Sequence, residues 1–143
     1  MELSTKSEYA LLALLELVAH YPTGEPLQIR QIAAEQSIPD RYLEQLLAIL
    51  RRSGLVRSQR GAKGGYLLSR EPWKITLLEI LNSVEGCDAA TPASTSKSPD
   101  ETAIHDVWRE ARQAADTILR GYTLQDLAEQ RDAKRQLNFM YYI

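Results

Sequence analysis

Cysteine is almost missing from this chain: of 143 residues, Cys87 alone carries a thiol. That excludes an internal disulfide and any multi-cysteine zinc site within one chain. Long apolar runs are missing too. The longest, Ala10 to Leu15, stops at Glu16 and is far too short to span a bilayer. The start, Met1-Glu-Leu-Ser-Thr, lacks the basic segment of a secretory signal, so a cytoplasmic location away from any membrane is expected. No Gly-rich nucleotide loop occurs and no Cys–His–acid arrangement is evident. A thiol enzyme built on Cys87 would therefore lack the groups that activate a nucleophile, and a non-enzymatic role is expected. A large excess of one charge is also missing. The net charge of −2 argues against an indiscriminate polyanion binder.

With 44% hydrophobic and 25% charged residues, the composition is that of an ordinary soluble globular protein. The length suits one domain, or one domain with a dimerisation arm. Charge is unevenly placed along it. From Asp40 to Lys74 there are eight Lys/Arg against three Asp/Glu, a local balance of +5. From Ile75 onward the count is seven against eleven, or −4. Such a split fits a basic contact surface joined to an acidic assembly region.

The rest of the chain is organised around Ile29 to Tyr66. A short helix, about Ile29 to Gln36, meets a turn at Ser37 to Pro39, and a second helix follows from Asp40 to Ser53. Gly54 ends that helix. A strand at Leu55 to Ser58, a Gly-rich tip at Gly61 to Gly65 and a returning strand at Tyr66 to Leu68 complete the segment. Helix, turn, helix and hairpin in this order predict a mainly α fold with a winged helix-turn-helix.

In the second helix Leu43, Leu46, Leu47 and Leu50 fall at i, i+3, i+4 and i+7, one apolar stripe that must face a core. The opposite face presents Arg41, Gln45, Ala48 and Arg52, flanked by Tyr42 and Glu44. Arg, Gln and Glu are the side chains that pair with base edges in a major groove. An arbitrary amphipathic helix would carry such a face merely as a solvated surface. Its position between a tight turn and a basic hairpin favours a reading helix here. Arg57, Arg60 and Lys63 sit on or beside a tip where Gly61, Gly64 and Gly65 let backbone approach another surface. A basic loop of this kind suits phosphates or a narrow minor groove, although an ordinary Gly-rich turn with solvated charges is the alternative.

The remaining elements follow from periodicity and caps. The first helix, about Ser4 to His20, is apolar on nearly all sides from Tyr9 to Ala19 and should be buried. Its first-turn residues Ser4, Thr5, Lys6 and Ser7 could approach a phosphate or simply cap the helix. His20 at its end is read as a dipole partner. Thr76 with Glu79 forms a capping box for a short helix, and Trp73 with the apolar residues after it is assigned to core. The segment 86–99 lacks periodicity and reads as a flexible loop. Ser98, Pro99 and Glu101 then open a long helix striped with Ile104, Val107, Trp108, Ala111, Ala115, Ile118 and Leu119, the natural dimerisation helix. Gly121 stops it, and Thr123 with Asp126 opens a last short helix through Gln130. The apolar end, Leu137 to Ile143, is expected to dock into a groove on its own or a partner subunit. These elements divide the chain into a DNA-binding domain over 1–85, an effector loop over 86–99 and a dimerisation helix with a C-terminal arm over 100–143.

Five segments carry a resemblance: Leu3 to Ala10 (LSTKSEYA), Tyr42 to Leu46 (YLEQL), Leu50 to Val56 (LRRSGLV), Arg60 to Leu68 (RGAKGGYLL) and His105 to Trp108 (HDVW). Together they resemble the winged-helix bacterial regulators that include the iron–sulfur cluster regulator, the nitric-oxide-sensing repressor and the cysteine-metabolism repressor (IscR, NsrR and CymR). The resemblance implies a homodimeric transcription regulator with double-stranded DNA as partner. Two-fold symmetry then requires a pseudo-palindromic promoter site. The expected DNA contacts are Arg41, Tyr42, Glu44, Gln45, Arg52, Arg60, Lys63, Gly64 and Gly65. A winged-helix protein-interaction module without base readout is the alternative.

Cluster-binding members of that family hold three loop cysteines. Aligned on His105-Asp-Val-Trp108, those positions fall at Thr102, Ser96 and about Ala90, none of them cysteine. Cys87 stands a few residues early, His105 is retained, and Glu8 occupies a position that supplies a carboxylate ligand in some members. Redox or iron–sulfur sensing therefore rests on Cys87, His105 and Glu8. No cofactor is required for folding, a non-standard cluster is conceivable, and a thiol switch or a small-molecule effector stands beside it.

Overall fold

The computed structural model describes residues 2–86 and 98–141. In chain order they form α1 (Thr5–Ala19), α2 (Ile29–Gln36), α3 (Asp40–Arg52), β1 (Val56–Gln59), β2 (Gly65–Leu68), a 3₁₀ turn (Pro72–Lys74), α4 (Leu77–Glu85), α5 (Pro99–Gly121) and α6 (Leu124–Tyr141). This is the mainly α winged helix-turn-helix that the sequence predicts. β1 and β2 are an antiparallel hairpin in which Val56 faces Leu68 and Gln59 faces Gly65. Leu27, just before α2, adds one further bridge to Tyr66, with N–H···O distances of 3.0 and 2.7 Å in the two directions.

The leucine stripe of α3 is the centre of the core: Leu43, Leu46, Leu47 and Leu50 are all at or below 1% exposure. Around it lie Ala10, Leu14 and Leu17 of α1, Ile32 of α2, Val56 of β1, Leu68 of β2 and Ile80 of α4. Burying each leucine contributes about 2 kcal/mol, so turning α3 by a single residue would cost most of a small domain's stability. The turn before α3 uses Ser37 in the left-handed region, at φ 55°. The amides of Ser37 and Ile38 both return to the Ala33 carbonyl. Gly54, at φ 79°, makes the corresponding reversal after α3.

Helix ends are closed by the expected caps. Ser4 Oγ accepts from the Ser7 amide at 3.1 Å, and the Ser4 and Ser7 hydroxyls both donate to Glu85 at the end of α4. These hydroxyls therefore cap α1 and tie it to α4, and neither is left free for a phosphate. Thr76 and Glu79 form their box, and Glu79 also receives the Arg70 guanidinium at 3.0 Å. Ser98 accepts from the Glu101 amide to open α5.

Several expectations need correction. β1 is displaced by one residue, to Val56–Gln59, and β2 starts one residue early, at Gly65, while ending at Leu68 as expected. Trp73 is not in the core. It is 55% exposed and meets Tyr21 edge-on, while Pro72 beside it is buried. The last helix is not short. After the reciprocal Thr123–Asp126 cap it continues to Tyr141, because no Gly or Pro follows Gly121 to stop it. Leu124 and Ala128 in its first turns join the core with α1, and Arg131 donates to the Leu15 carbonyl at 3.1 Å. Its far end does not dock on its own subunit: Leu137, Phe139, Met140 and Tyr141 are exposed. Most of the 86–99 loop, Cys87 included, lies outside the described residues.

Glu79 and Glu85 are both held below the ordinary carboxylate value of 4.5. The Arg70 hydrogen bond acts chiefly on the first, and the hydroxyls of Ser4 and then Ser7 on the second. A carboxylate depressed in the fold stabilises it above the unfolded pKa, and that contribution is lost as pH falls through the folded value. The urea midpoint of the parent should therefore exceed that of Glu85→Gln or Glu79→Gln at pH 7. The gap should narrow steadily below about pH 4.5. A gap independent of pH would show that neither contact depends on the charged form.

Candidate nucleic-acid interface

Because the α3 leucines are fixed inward, the residues between them are fixed outward. Arg41, Glu44, Gln45 and Arg52 are exposed along one face of the helix. Tyr42 stands at the edge of that face and is half-buried, its ring meeting Tyr9 of α1 edge-on at 5.4 Å. Its ring therefore helps pack α3 against α1. Arg51 and Arg52 fall in the last turn, where cations complement the helix dipole.

The wing stands beside this face. Arg57, Arg60 and Lys63 are exposed on the hairpin. The four ion pairs found among the described residues involve Arg70, Lys74, Arg109 and Arg131, and none involves Arg41, Arg52, Arg57, Arg60 or Lys63. These five cations thus carry no ion pair among the described residues, and unpaired cations are what a phosphate backbone requires.

Between the wing and α3 lies a concave surface of about 550 Å³. It is lined by Asp40 and Glu44 of α3, Arg60 of the wing, and Gln28 and Arg30 at the start of α2. Gln28 and Arg30 were not singled out from sequence. The available signal was their position at the N-terminus of the first helix of the motif, where amides and side chains approach a backbone phosphate.

Gly64 and Gly65 also meet a constraint inside the wing. Gly64 is buried, and a Cβ there would strike the backbone of Gln59, Arg60 and Gly61; a Cβ on Gly65 would strike the backbone of Leu27. Their small size lets the wing fold back on itself and pair with Leu27. The thin tip is a consequence of this internal packing.

A family model for iron-dependent transcriptional regulators, the Rrf2 family, matches residues 3–130. The chain belongs to the Rrf2 family. It is 37% identical to the transcriptional regulator CymR of Bacillus subtilis over the full length of both chains. Among solved structures it resembles IscR of T. potens, with a TM-score of 0.77 and 34% identity over 92% of this chain and 88% of that one. The structure of CymR, the global cysteine regulator of B. subtilis, superposes with a TM-score of 0.76 and 35% identity, covering 91% and 98%. The chain is thus a winged-helix DNA-binding transcriptional regulator, and its relatives are named as regulators rather than enzymes.

The Rrf2 description includes iron, so the fit of this chain to an iron–sulfur cluster can be tested on its own residues. Such clusters are held mainly by cysteine thiolates. The chain has one, Cys87, which lies outside the described residues. Thr102, at one family cysteine position, donates its hydroxyl to the Ser98 carbonyl at 3.0 Å within α5. His105 and Glu8 are both exposed, and no group of three His, Cys, Asp or Glu side chains converges among the described residues. These residues do not fit a conventional cluster.

The wing geometry makes a prediction about stability. Gly65→Ala should destabilise the protein by about 2 kcal/mol or more, since backbone has to move. Arg60→Ala, on an exposed side chain, should leave the urea midpoint within experimental error. Equal midpoints for parent and Gly65→Ala would mean that the Leu27 bridge is easily displaced.

Proposed function

We propose that the protein is a homodimeric regulator of the bacterial cytoplasm that reads a pseudo-palindromic promoter site. Glu44, Gln45 and Arg41 of α3 take base edges in the major groove. Arg52 and Lys63 meet phosphates, and Arg60 enters the adjacent minor groove. The observation that carries this reading is the groove in which Arg60 of the wing meets Asp40 and Glu44 of α3, with Arg41, Arg52, Arg57, Arg60 and Lys63 exposed and without ion pairs among the described residues. A protein-interaction module would not need that combination.

Dimerisation is supported by α5. This 23-residue helix has no buried residue among those described, and Ile104, Val107, Trp108 and Ile118 are each at least 60% exposed. A helix about 35 Å long with an apolar stripe facing water calls for a partner. The small Ala111 and Ala115 in mid-stripe permit close approach of a second copy. The signal reaches the dimer without a conventional cluster. A non-standard cluster or thiol switch would have to use Cys87 and His105, with Glu8 or a second subunit contributing.

Two experiments test the reading. Glu44→Ala or Gln45→Ala should cost about 1–3 kcal/mol on the selected genomic site and little on scrambled DNA. Arg52→Ala should weaken both alike and reduce the salt dependence. Unchanged discrimination in both helix variants would remove α3 as the reading element. For assembly, sedimentation of the parent at micromolar concentration should give a dimer. Ile104→Glu and Ala111→Glu should give monomers, since each places an unpaired charge in the seam. A monomeric parent would defeat the assembly.

A further inference from the structure

A second cavity, of about 580 Å³, opens on the other side of α2, walled by the end of α1 and by α6. Its volume is within the range of small-molecule sites, about 300–1,000 Å³. Glu16 of α1 lies at its floor with 8% exposure. One carboxylate oxygen accepts from Gln36 Nε2 at 2.5 Å. The other makes no hydrogen bond among the described residues and is not fully buried, and Glu16 lines the cavity. No Lys or Arg pairs with Glu16 among the described residues. A carboxylate this deep gains by receiving a cationic donor.

The walls narrow the kind of donor. Glu35 and His20 share the cavity with Glu16, yet the three do not converge into a set that could hold a metal ion. An organic ammonium, with three donors on a small head, needs no converging set of ligands and can be held by Glu16 with Glu35 beside it. Opposite charge is supplied from α6 by Arg135, which pairs with no carboxylate among the described residues. Arg135 lies one turn beyond Arg131, whose bond to the Leu15 carbonyl fixes α6 on α1. A guanidinium fork is suited to a carboxylate. We propose that this cavity binds a free amino acid, its ammonium on Glu16 and Glu35 and its carboxylate on Arg135.

The same short segment connects this cavity with the DNA side. Leu27 and Gln31 line the amino-acid cavity, whereas Gln28 and Arg30 between them line the groove shared with Arg60. Leu27 is also the residue bridged to Tyr66 in the wing. A ligand that clamps α2 to α6 therefore acts on both the first helix of the motif and the base of the wing, and changes affinity for DNA. This consequence rests on the DNA-binding reading; occupancy of the cavity does not.

The test uses the full chain. Proteinogenic L-amino acids are screened singly at millimolar concentration by thermal shift, and any hit is titrated by calorimetry. At least one should bind, and its N-acetyl and methyl-ester forms should bind about tenfold more weakly or worse, each having lost one charged group. Glu16→Gln should abolish binding. Glu35→Gln and Arg135→Ala, both at exposed positions, should weaken it about tenfold and serve if the buried variant does not fold. Failure of every amino acid to bind, or equal binding by all three variants, overturns the site. A ligand that binds but leaves affinity for the selected genomic fragment within about twofold overturns the coupling. Affinity of the ligand-free protein for that fragment is measured separately, so loss of the DNA-binding reading is distinguishable from loss of the site.

Discussion

The burial of four leucines on α3 is the interaction on which the other features depend. Leu43, Leu46, Leu47 and Leu50 share one buried core with residues of α1, α2, α4 and both wing strands. Their transfer from water sets the rotation of α3 to within a residue, because any other rotation places leucine in solvent and arginine in the core. The direction in which Arg41, Glu44 and Gln45 point is thus a by-product of core packing. The wing inherits its place in the same way: Val56 and Leu68 enter that core from the hairpin's inner side, leaving Arg57 and Arg60 outside.

Charge is arranged on this frame in two different ways. Where the fold needs rigidity, ions are paired or capped, as in Arg70 with Glu79 or the Ser4 and Ser7 hydroxyls on Glu85. Around the reading helix and wing, cations are left without partners among the described residues. Exposed pairs contribute little to stability, so leaving these side chains unpaired costs the fold little. Unpaired cations are also the kind of group that releases counterions from a phosphate backbone.

The C-terminal half has two characters. The start of α6 belongs to the core through Leu124 and Ala128, and Arg131 pins it to α1. By contrast, α5 and the end of α6 expose Trp108, Phe139 and Met140. Intramolecular packing therefore accounts for the position of α6 but not for the apolar residues beyond it. The chain keeps the Rrf2 architecture with a single cysteine in its whole sequence.

Local signals in the sequence were sufficient for the winged helix-turn-helix. The leucine spacing, the Thr76–Glu79 and Ser98–Pro99 caps, and Gly54 each act over a few residues, and each is where periodicity and cap chemistry put it. The outward set on α3 was legible for the same reason, being the complement of the leucine stripe. Properties set by distant contacts were not legible. Trp73 looks like core by composition, but its neighbour Pro72 takes the buried position. Gly64 and Gly65 are legible as a thin tip, but the Leu27 backbone that excludes a Cβ at Gly65 is far away in sequence and is not. Nor could any periodicity bring Glu16, Glu35 and Arg135 to one cavity. Their separation spans most of the chain, and only the packing of α6 on α1 closes it.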